Sequence, residues 1–287
     1  MVGQQMKKRI SFLGPEASFT HLAALKAFPE GELIAYTTIP ECIEAVAENN
    51  VDYAVVPLEN ALEGSVPLTV DYLFHEAQLY VTAEVLSPIE QHLMVHPDNA
   101  DSETFEAIFS HPHALAQCHK FLYYTYKNTP LEQYSSTSAA AKMVSELPER
   151  NIAAIGNEFS AHKYGLKIVH REIHDFHFNH TRFYVLAKTN HHLANPAHSE
   201  QVKTTLMISP PKDDRSGVLH QVLSVFAWRQ LNLSKIESRP LKTGLGNYFF
   251  IADVVDDEKS PMMQGAFQEL AALGCTVKSL GSYYTYE

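Results

Sequence analysis

The sequence predicts an α/β chain in two parts. Up to about residue 188, parallel sheets are covered by helices on both faces; residues 201–287 form a βαββαβ unit of the ferredoxin-like pattern. Three observations predict this. Short apolar runs alternate with amphipathic stretches through the first two-thirds of the chain, and such repeated strand–helix alternation implies parallel sheets. The segment Thr189-Asn190-His191-His192-Leu193-Ala194-Asn195-Pro196-Ala197-His198 is polar, contains Pro and lacks periodicity, as a domain boundary does. The rhythm then changes to strand, helix, two strands, helix, strand. A length of 287 residues, at roughly 150 residues per domain, agrees with about two domains.

Arg9–Leu13 reads as a strand, and Ser18 is placed to cap a helix through Phe28. Pro40–Asn49 reads as helix, Tyr53–Val56 as a buried strand, and Ser65 as the cap of a helix ending near His75. Phe105–Phe109 reads as strand, and Pro112–Tyr126 as one helix with Leu115, Cys118 and Leu122 on one face. Ser136–Leu147 is helical, Ile152–Ile155 is strand, Asn157–Tyr164 is a helix closed by Gly165, and Arg182–Ala187 is strand. In the second part, Val202–Ser209, Leu233–Arg239, Tyr248–Val255 and Cys275–Leu280 are strands, and Ser216–Arg229 and Met262–Leu273 are helices. Thr243-Gly244-Leu245-Gly246 is a turn between two strands, which also disqualifies its Gly-x-Gly as a dinucleotide site.

Composition excludes several classes. A formal net charge of −11 argues against a nucleic-acid face, which needs clustered Lys and Arg. Cys42, Cys118 and Cys275 form no CxxC pair, so neither a thiolate zinc site nor a disulfide framework is expected; reduced thiols fit a cytoplasmic protein. The basic start is followed by no apolar h-region, and no apolar run reaches the ~18 residues of a membrane span. Gly-x-Ser-x-Gly and P-loop motifs do not occur.

Four strand ends carry polar clusters, where a parallel sheet presents ligand groups. In Gly14-Pro15-Glu16-Ala17-Ser18-Phe19-Thr20-His21, backbone N–H groups at a helix start can hold a carboxylate, or Ser18 is an ordinary N-cap. In Val56-Pro57-Leu58-Glu59-Asn60-Ala61-Leu62-Glu63-Gly64-Ser65, Glu59 and Asn60 stand at the ligand end of a strand, and Glu63 reads as a solvated turn. Ser110-His111-Pro112-His113-Ala114-Leu115-Ala116-Gln117-Cys118 has two histidines but no third ligand at supporting spacing, and His174, His177 and His180 lie on a loop; no metal is expected at either. In Asn179-His180-Thr181-Arg182-Phe183, a guanidinium beside a hydroxyl suits an anion. Strand alternation puts Thr181 and Phe183 on one face and Arg182 on the other, so they share a pocket only if the chain turns.

In this order the clusters resemble the prephenate dehydratase family, in its monofunctional bacterial form with a C-terminal ACT regulatory domain. The resemblance runs from Lys8 to Tyr286. It is carried by the four clusters, by Ser136-Thr137 with Ala139-Ala140-Ala141, by Gly217-Val218-Leu219 and by Lys235-Ile236-Glu237-Ser238-Arg239-Pro240. Three positions depart from the family pattern: Ala61 in place of Ser or Thr, His113 in place of Gln, and Ser216-Gly217-Val218-Leu219 in place of Pro-Gly-Ala-Leu. The resemblance implies a catalytic domain over 7–188 like the type II periplasmic binding proteins. Its lobes would span about 7–80 with 178–188, and 81–177, with the chain crossing near Val81–Val85 and returning near Arg171–Asn179. A linker at 189–200 and an ACT domain at 201–287 follow.

It also implies a lyase. Prephenate, a dianion, would lose its ring hydroxyl as water and its ring carboxylate as CO2. Aromatisation drives this, so no cofactor is called for. Thr181 would donate a hydrogen bond to the departing hydroxyl, Arg182 would anchor a carboxylate, Phe183 would pack on the ring, and Glu59 or His111 would deliver the proton. Ser18, Thr20, Asn60, Ser110, Gln117, Ser136, Thr137 and Asn179 are hydrogen-bond candidates around the cleft. The effector would be L-phenylalanine, held near Gly217, Val218 and Leu219 and near Glu237, Ser238, Arg239 and Pro240; alternatively, Glu237 and Arg239 are a same-face surface pair. Pairing of ACT domains implies a homodimer or a dimer of dimers. No nucleic-acid or membrane partner is implied. An arogenate dehydratase and a non-catalytic solute-binding module are the competing readings; the absent signal peptide and the intact Asn179–Phe183 segment argue against the second.

Overall fold

The computed structural model describes residues 7–194, 201–211, 216–242 and 247–287. The expected turn at 243–246 and the Asn195–His198 end of the expected linker lie outside the described residues. The chain opens with β1 (Arg9–Leu13), α1 (Phe19–Ala27), β2 (Glu32–Tyr36), α2 (Ile39–Ala47), β3 (Tyr53–Asn60), β4 (Gly64–Ser65), α3 (Pro67–His75) and β5 (Tyr80–Pro88). It then builds a second sheet with β6 (His92–Val95), β7 (Ile108–Ser110), α4 (Pro112–Gln117), α5 (His119–Thr125), β8 (Leu131–Gln133), α6 (Thr137–Ser145), β9 (Ala153–Gly156), α7 (Glu158–Tyr164) and β10 (Lys167–His170). It returns to the first sheet as β11 (His180–Ala187). The C-terminal unit comprises β12 (Val202–Ser209), α8 (Val218–Ala227), β13 (Leu233–Pro240), β14 (Tyr248–Val254), α9 (Pro261–Ala272) and β15 (Thr276–Tyr286).

Local chemistry sets several of these boundaries. Thr38 accepts from the Glu41 N–H at 3.3 Å while the Glu41 carboxylate accepts from the Thr38 N–H at 3.1 Å, a capping box that starts α2. Ile39, Cys42, Ile43 and Val46 then recur at helical spacing on its buried side. The helix expected over Pro112–Tyr126 breaks at Cys118 into α4 and α5. The break frees the Lys120 N–H, which the Asp175 carboxylate accepts at 3.2 Å. Ser65 is not a helix cap: it pairs with Glu59 in the two-residue strand β4, and Val66 precedes α3.

β1 lies parallel between β2 and β3, whereas β11 runs antiparallel to both β3 and β5. β5 stays in the first sheet over its whole length, with Ala83 and Val85 in the same core as Ile10, Phe12 and Phe183. The crossing to the second lobe therefore follows Pro88, rather than falling at Val81–Val85. The second sheet has the order β10-β6-β9-β7-β8.

The C-terminal unit is not a free appendage. Its antiparallel sheet carries α8 and α9 on one face, where Val222, Val225, Phe226, Met263 and Leu270 pack on Leu206, Ile208, Phe250 and Val254. The opposite face shares one core with the first lobe: Met207, Phe249, Ile251, Leu280 and Tyr283 pack with Leu58, Val70, Leu73, Tyr184 and Leu186. The end of β15, expected to stop at Leu280, continues to Tyr286 and pairs in parallel with β5, so both parts form one ten-stranded sheet. Lys278 reaches from β15 to the Ala77 carbonyl at 2.8 Å, beyond the C-terminus of α3, where a cation suits the helix dipole.

Candidate active site

Thr181 and Asn60 face each other across β11 and β3. The Asn60 Oδ1 accepts from the N–H groups of Leu62 and Glu63 at 3.0 and 3.2 Å, which fixes the amide with its NH2 toward β11. That NH2 donates to Thr181 Oγ1 and to Asn179 Oδ1, each at 2.9 Å. Two consequences follow. The Thr181 oxygen is already an acceptor, so its own hydrogen is turned away from Asn60 and available to another acceptor. The Asn179 Nδ2 is buried and has no partner. An unpaired buried donor costs about 1–3 kcal/mol, and a bound oxygen atom would relieve that cost. The cluster is thus two neutral donors, a hydroxyl and an amide, held ready by the Asn60 amide.

The second lobe meets the first at two places. At one, Glu63 reaches across to α4, pairing with His113 and accepting from Gln117 Nε2 at 3.2 Å. At the other, the turn after β1 docks on the starts of α6 and α7. The Ala17 carbonyl accepts from Asn157 Nδ2 and Ser160 Oγ, both at 2.9 Å, and the Glu16 carbonyl accepts from Ser138 Oγ. Helix starts here gather N–H groups where an anion is favoured. Beside Thr181, its cross-strand partner Ser87 lines a groove of about 450 Å³ with Phe19, His92, Asn157 and Phe159.

The sequence-predicted residues divide sharply. Thr181, Asn60 and Asn179 share one hydrogen-bonded cluster, and Gln117 is linked to it through Glu63, its Oε1 another unpartnered buried atom. His111 caps α4, its Nδ1 accepting from the His113 N–H at 3.3 Å; this assigns the hydrogen to Nε2. Burial, then His113, lowers its pKa, so it is a neutral donor. Ser136 caps α6 by accepting from the Ala139 N–H at 3.0 Å, leaving its hydroxyl hydrogen free beside Thr137. Thr20 is buried in the first turn of α1. Ser18 and Ser110 are engaged within their own lobes: Ser18 accepts from the His21 N–H and donates to the Leu13 carbonyl, and the fully buried Ser110 donates to the Ile155 carbonyl at 2.7 Å.

Three expected catalytic residues are corrected. Phe183 lies under α1 in the core, 1% exposed, and cannot stack on a bound ring. Arg182 points to the opposite face from Thr181, as alternation requires, and its guanidinium donates to Glu84, to Glu59 at 2.8 Å and to Asp253 at 2.6 Å; it anchors protein carboxylates instead of a ligand's. Glu59 shares that face. Burial pushes its pKa up, but Lys235 and Arg182 outweigh this and lower it, so it stays ionised and is no proton donor.

Glu63, Ser138, Asn157 and Ser160 were missed. The same strand-end reasoning applied to Gly156-Asn157, after the buried β9, would have found the last two. In the C-terminal unit, Glu237 and Arg239 do not point to an open effector site. They turn to the first lobe, Glu237 accepting from Ser65 and Arg239 donating to Asp71 at 3.0 Å. The same alternation leaves Ser238 and Pro240 exposed on β13, an edge strand. Gly217 stands before α8 with φ +87°, a conformation that glycine adopts freely, followed by buried Val218 and exposed Leu219.

The lobe-to-unit contacts have a pH signature. Burial raises the pKa of Glu59, Glu84 and Asp71, but their cationic partners outweigh it and hold all three below the ordinary carboxylate value. A depressed carboxylate stabilises above its unfolded value, near 4, and loses that contribution as pH falls through its folded value. Thermal melting should hold between pH 7 and 5 and fall steeply below about pH 4; an unchanged melting temperature at pH 3.5 contradicts the assignment.

An α/β domain whose two lobes meet around a cluster of ready donors, fused to a ferredoxin-like unit, defines an enzyme of the ligand-enclosing type with a built-in control module. Residues 10–191 match the prephenate dehydratase family and residues 213–277 match the ACT domain. The chain belongs to the prephenate dehydratase family. It is 53% identical to prephenate dehydratase of Bacillus subtilis, over 97% of this chain and 99% of that protein. A solved structure of prephenate dehydratase from Arthrobacter aurescens in complex with L-Phe superposes with a TM-score of 0.83 at 31% identity, over 96% of this chain and 89% of that one. A structure described as a novel type of quorum quenching acylase superposes with a TM-score of 0.82 at 26% identity, over 97% and 98% of the two chains. The architecture therefore does not by itself fix the chemistry. Among the described residues, no helix is long and apolar enough to cross a membrane, and no three His, Cys, Asp or Glu side chains gather to hold a metal.

Proposed function

We propose that this chain converts prephenate to phenylpyruvate in L-phenylalanine biosynthesis and is feedback-regulated by L-phenylalanine. The observation that carries the site assignment is the orientation of Thr181: Asn60 donates to its oxygen at 2.9 Å and so directs its hydrogen outward. A neutral hydroxyl is a weak acid, so its part is a fixed hydrogen bond to the ring hydroxyl as that group leaves with its electron pair. The C–C bond to the ring carboxylate breaks in the same aromatisation, releasing CO2, and the leaving hydroxide takes one proton from solvent to become water. Asn179 Nδ2, Gln117 and the helix starts at Ser136, Thr137 and Asn157 hold the substrate's oxygens. No guanidinium is needed at the reacting carboxylate. That is chemically apt, because a strong cation would hold the charge that must depart as neutral CO2. His111, a neutral ring with hydrogen on Nε2, is the remaining candidate to pass the solvent proton along by a hydrogen bond.

The effector site includes Gly217, Val218 and Leu219 with Ser238 and Pro240. Two copies pair through the exposed edge β13, giving a homodimer or a dimer of dimers, in the cytoplasm. Steady-state turnover of prephenate, read as phenylpyruvate absorbance in alkali, tests the assignment. Prephenate should be turned over at least tenfold more efficiently than arogenate, and the reverse preference contradicts it. EDTA treatment should leave the rate unchanged; a loss restored by a divalent ion contradicts the metal-free mechanism.

A further inference from the structure

We infer that Asp253, on β14 of the ACT domain, is a positioning residue for the dehydration. It holds Arg182 and, through Arg182 and Glu59, sets the rung on which Asn60 meets Thr181. This rests on the reaction proposed above. Arg182–Glu59 and Thr181–Asn60 are successive cross-strand pairs of β11 and β3, facing opposite sides of the sheet. Immediately beyond them the register shifts between Arg182 and Phe183. Regular pairing on that side therefore does not align the Thr181 rung, and the Arg182–Glu59 pair takes over the task.

Both members of that pair are gripped from the ACT domain. Asp253, fully buried, accepts from Arg182 at 2.6 Å, and its other oxygen accepts from Thr205 at 2.7 Å. Lys235 meets Glu59 at 2.8 Å. Glu84 closes the set, held by Arg182, by Lys203 at 2.8 Å and by Thr285 at 3.0 Å. Three carboxylates face three cations. The ACT domain contributes Asp253, Lys203 and Lys235; the catalytic lobe contributes Arg182, Glu59 and Glu84. The lobe's three groups carry one excess negative charge and the C-terminal unit's three carry one excess positive charge, and Asp253 and Lys203 find their counterions across the junction. Lys235 and Ser238 lie on opposite faces of the same strand, so a shift of β13 on the effector side reaches Glu59 directly.

The test is Asp253→Asn in the full-length chain, an isosteric change that keeps an acceptor for Thr205 and removes the charge facing Arg182. The kcat should fall at least tenfold with KM changed less than threefold. The same substitution placed in a Thr181→Ala background, read on the residual rate, should cost less than threefold, because residues acting through one another are not additive. A purely structural role would lower the melting temperature, leave kcat per folded molecule intact and act equally in both backgrounds. If Asp253→Asn does not fold, Thr205→Val loosens the same carboxylate without altering charge and should lower kcat two- to fivefold. An active wild type whose kcat is unmoved by either variant overturns the relay alone. A wild type that forms no phenylpyruvate overturns the reaction assignment and the relay with it.

Discussion

Replacing Thr181 by alanine should lower kcat by roughly 10²–10³-fold, the usual cost of removing one preorganised donor at a developing oxyanion. The fold should survive, since the change removes the acceptor that Asn60 addresses and leaves the backbone pairs with Asn60 and Ser87 in place. Substrate affinity should change little: Asn179, Gln117 and the helix starts remain. Thr181→Ser keeps the oxygen that Asn60 addresses and should recover a large part of the rate. A purified, folded Thr181→Ala enzyme with more than half the wild-type kcat contradicts the role.

Cutting the chain after Lys188 should have the second large effect, on stability. The cut uncovers Leu58, Val70, Leu73, Tyr184 and Leu186, which share one core with the ACT sheet. At roughly 1.5–3 kcal/mol for each fully buried apolar side chain, exposing these five rivals the 5–15 kcal/mol by which a domain is stable. It also strips Glu59 and Glu84 of Lys235 and Lys203. The shortened protein should melt at least roughly 10 °C below the full chain, or aggregate. An equal melting temperature would show that the catalytic lobes fold without the ACT sheet.

Much of the site was legible because its parts are short segments at strand ends, where residue type and topology act together. Thr181, Asn60, Asn179 and Gln117 stood out as candidates that way. What escaped depended on distant partners. Alternation along β11 already separated Arg182 from Thr181, but nothing local indicated Asp253, 71 residues away, as the anion it meets. Glu63 read as solvated, and its partners His113 and Gln117 lie on the other lobe. The strands β2, β6, β8 and β10 are short, and β8 is exposed throughout, so their periodicity is weak. The polar linker suggested two independent modules. The shared core was hidden because the ACT strands carry apolar side chains on both faces, a pattern that signals burial without naming what covers each face.

Prephenate turnover by the full-length chain as L-phenylalanine is added tests catalysis and its control in one measurement. Phenylpyruvate should form at an enzymic rate in its absence, and millimolar phenylalanine should suppress that rate at least fivefold, the scale of a coupling of about 1 kcal/mol or more. Reciprocally, saturating prephenate should weaken phenylalanine binding by the factor by which phenylalanine weakens prephenate binding. Turnover that ignores millimolar phenylalanine contradicts the regulatory half of the account, and absence of phenylpyruvate at any phenylalanine concentration contradicts the whole.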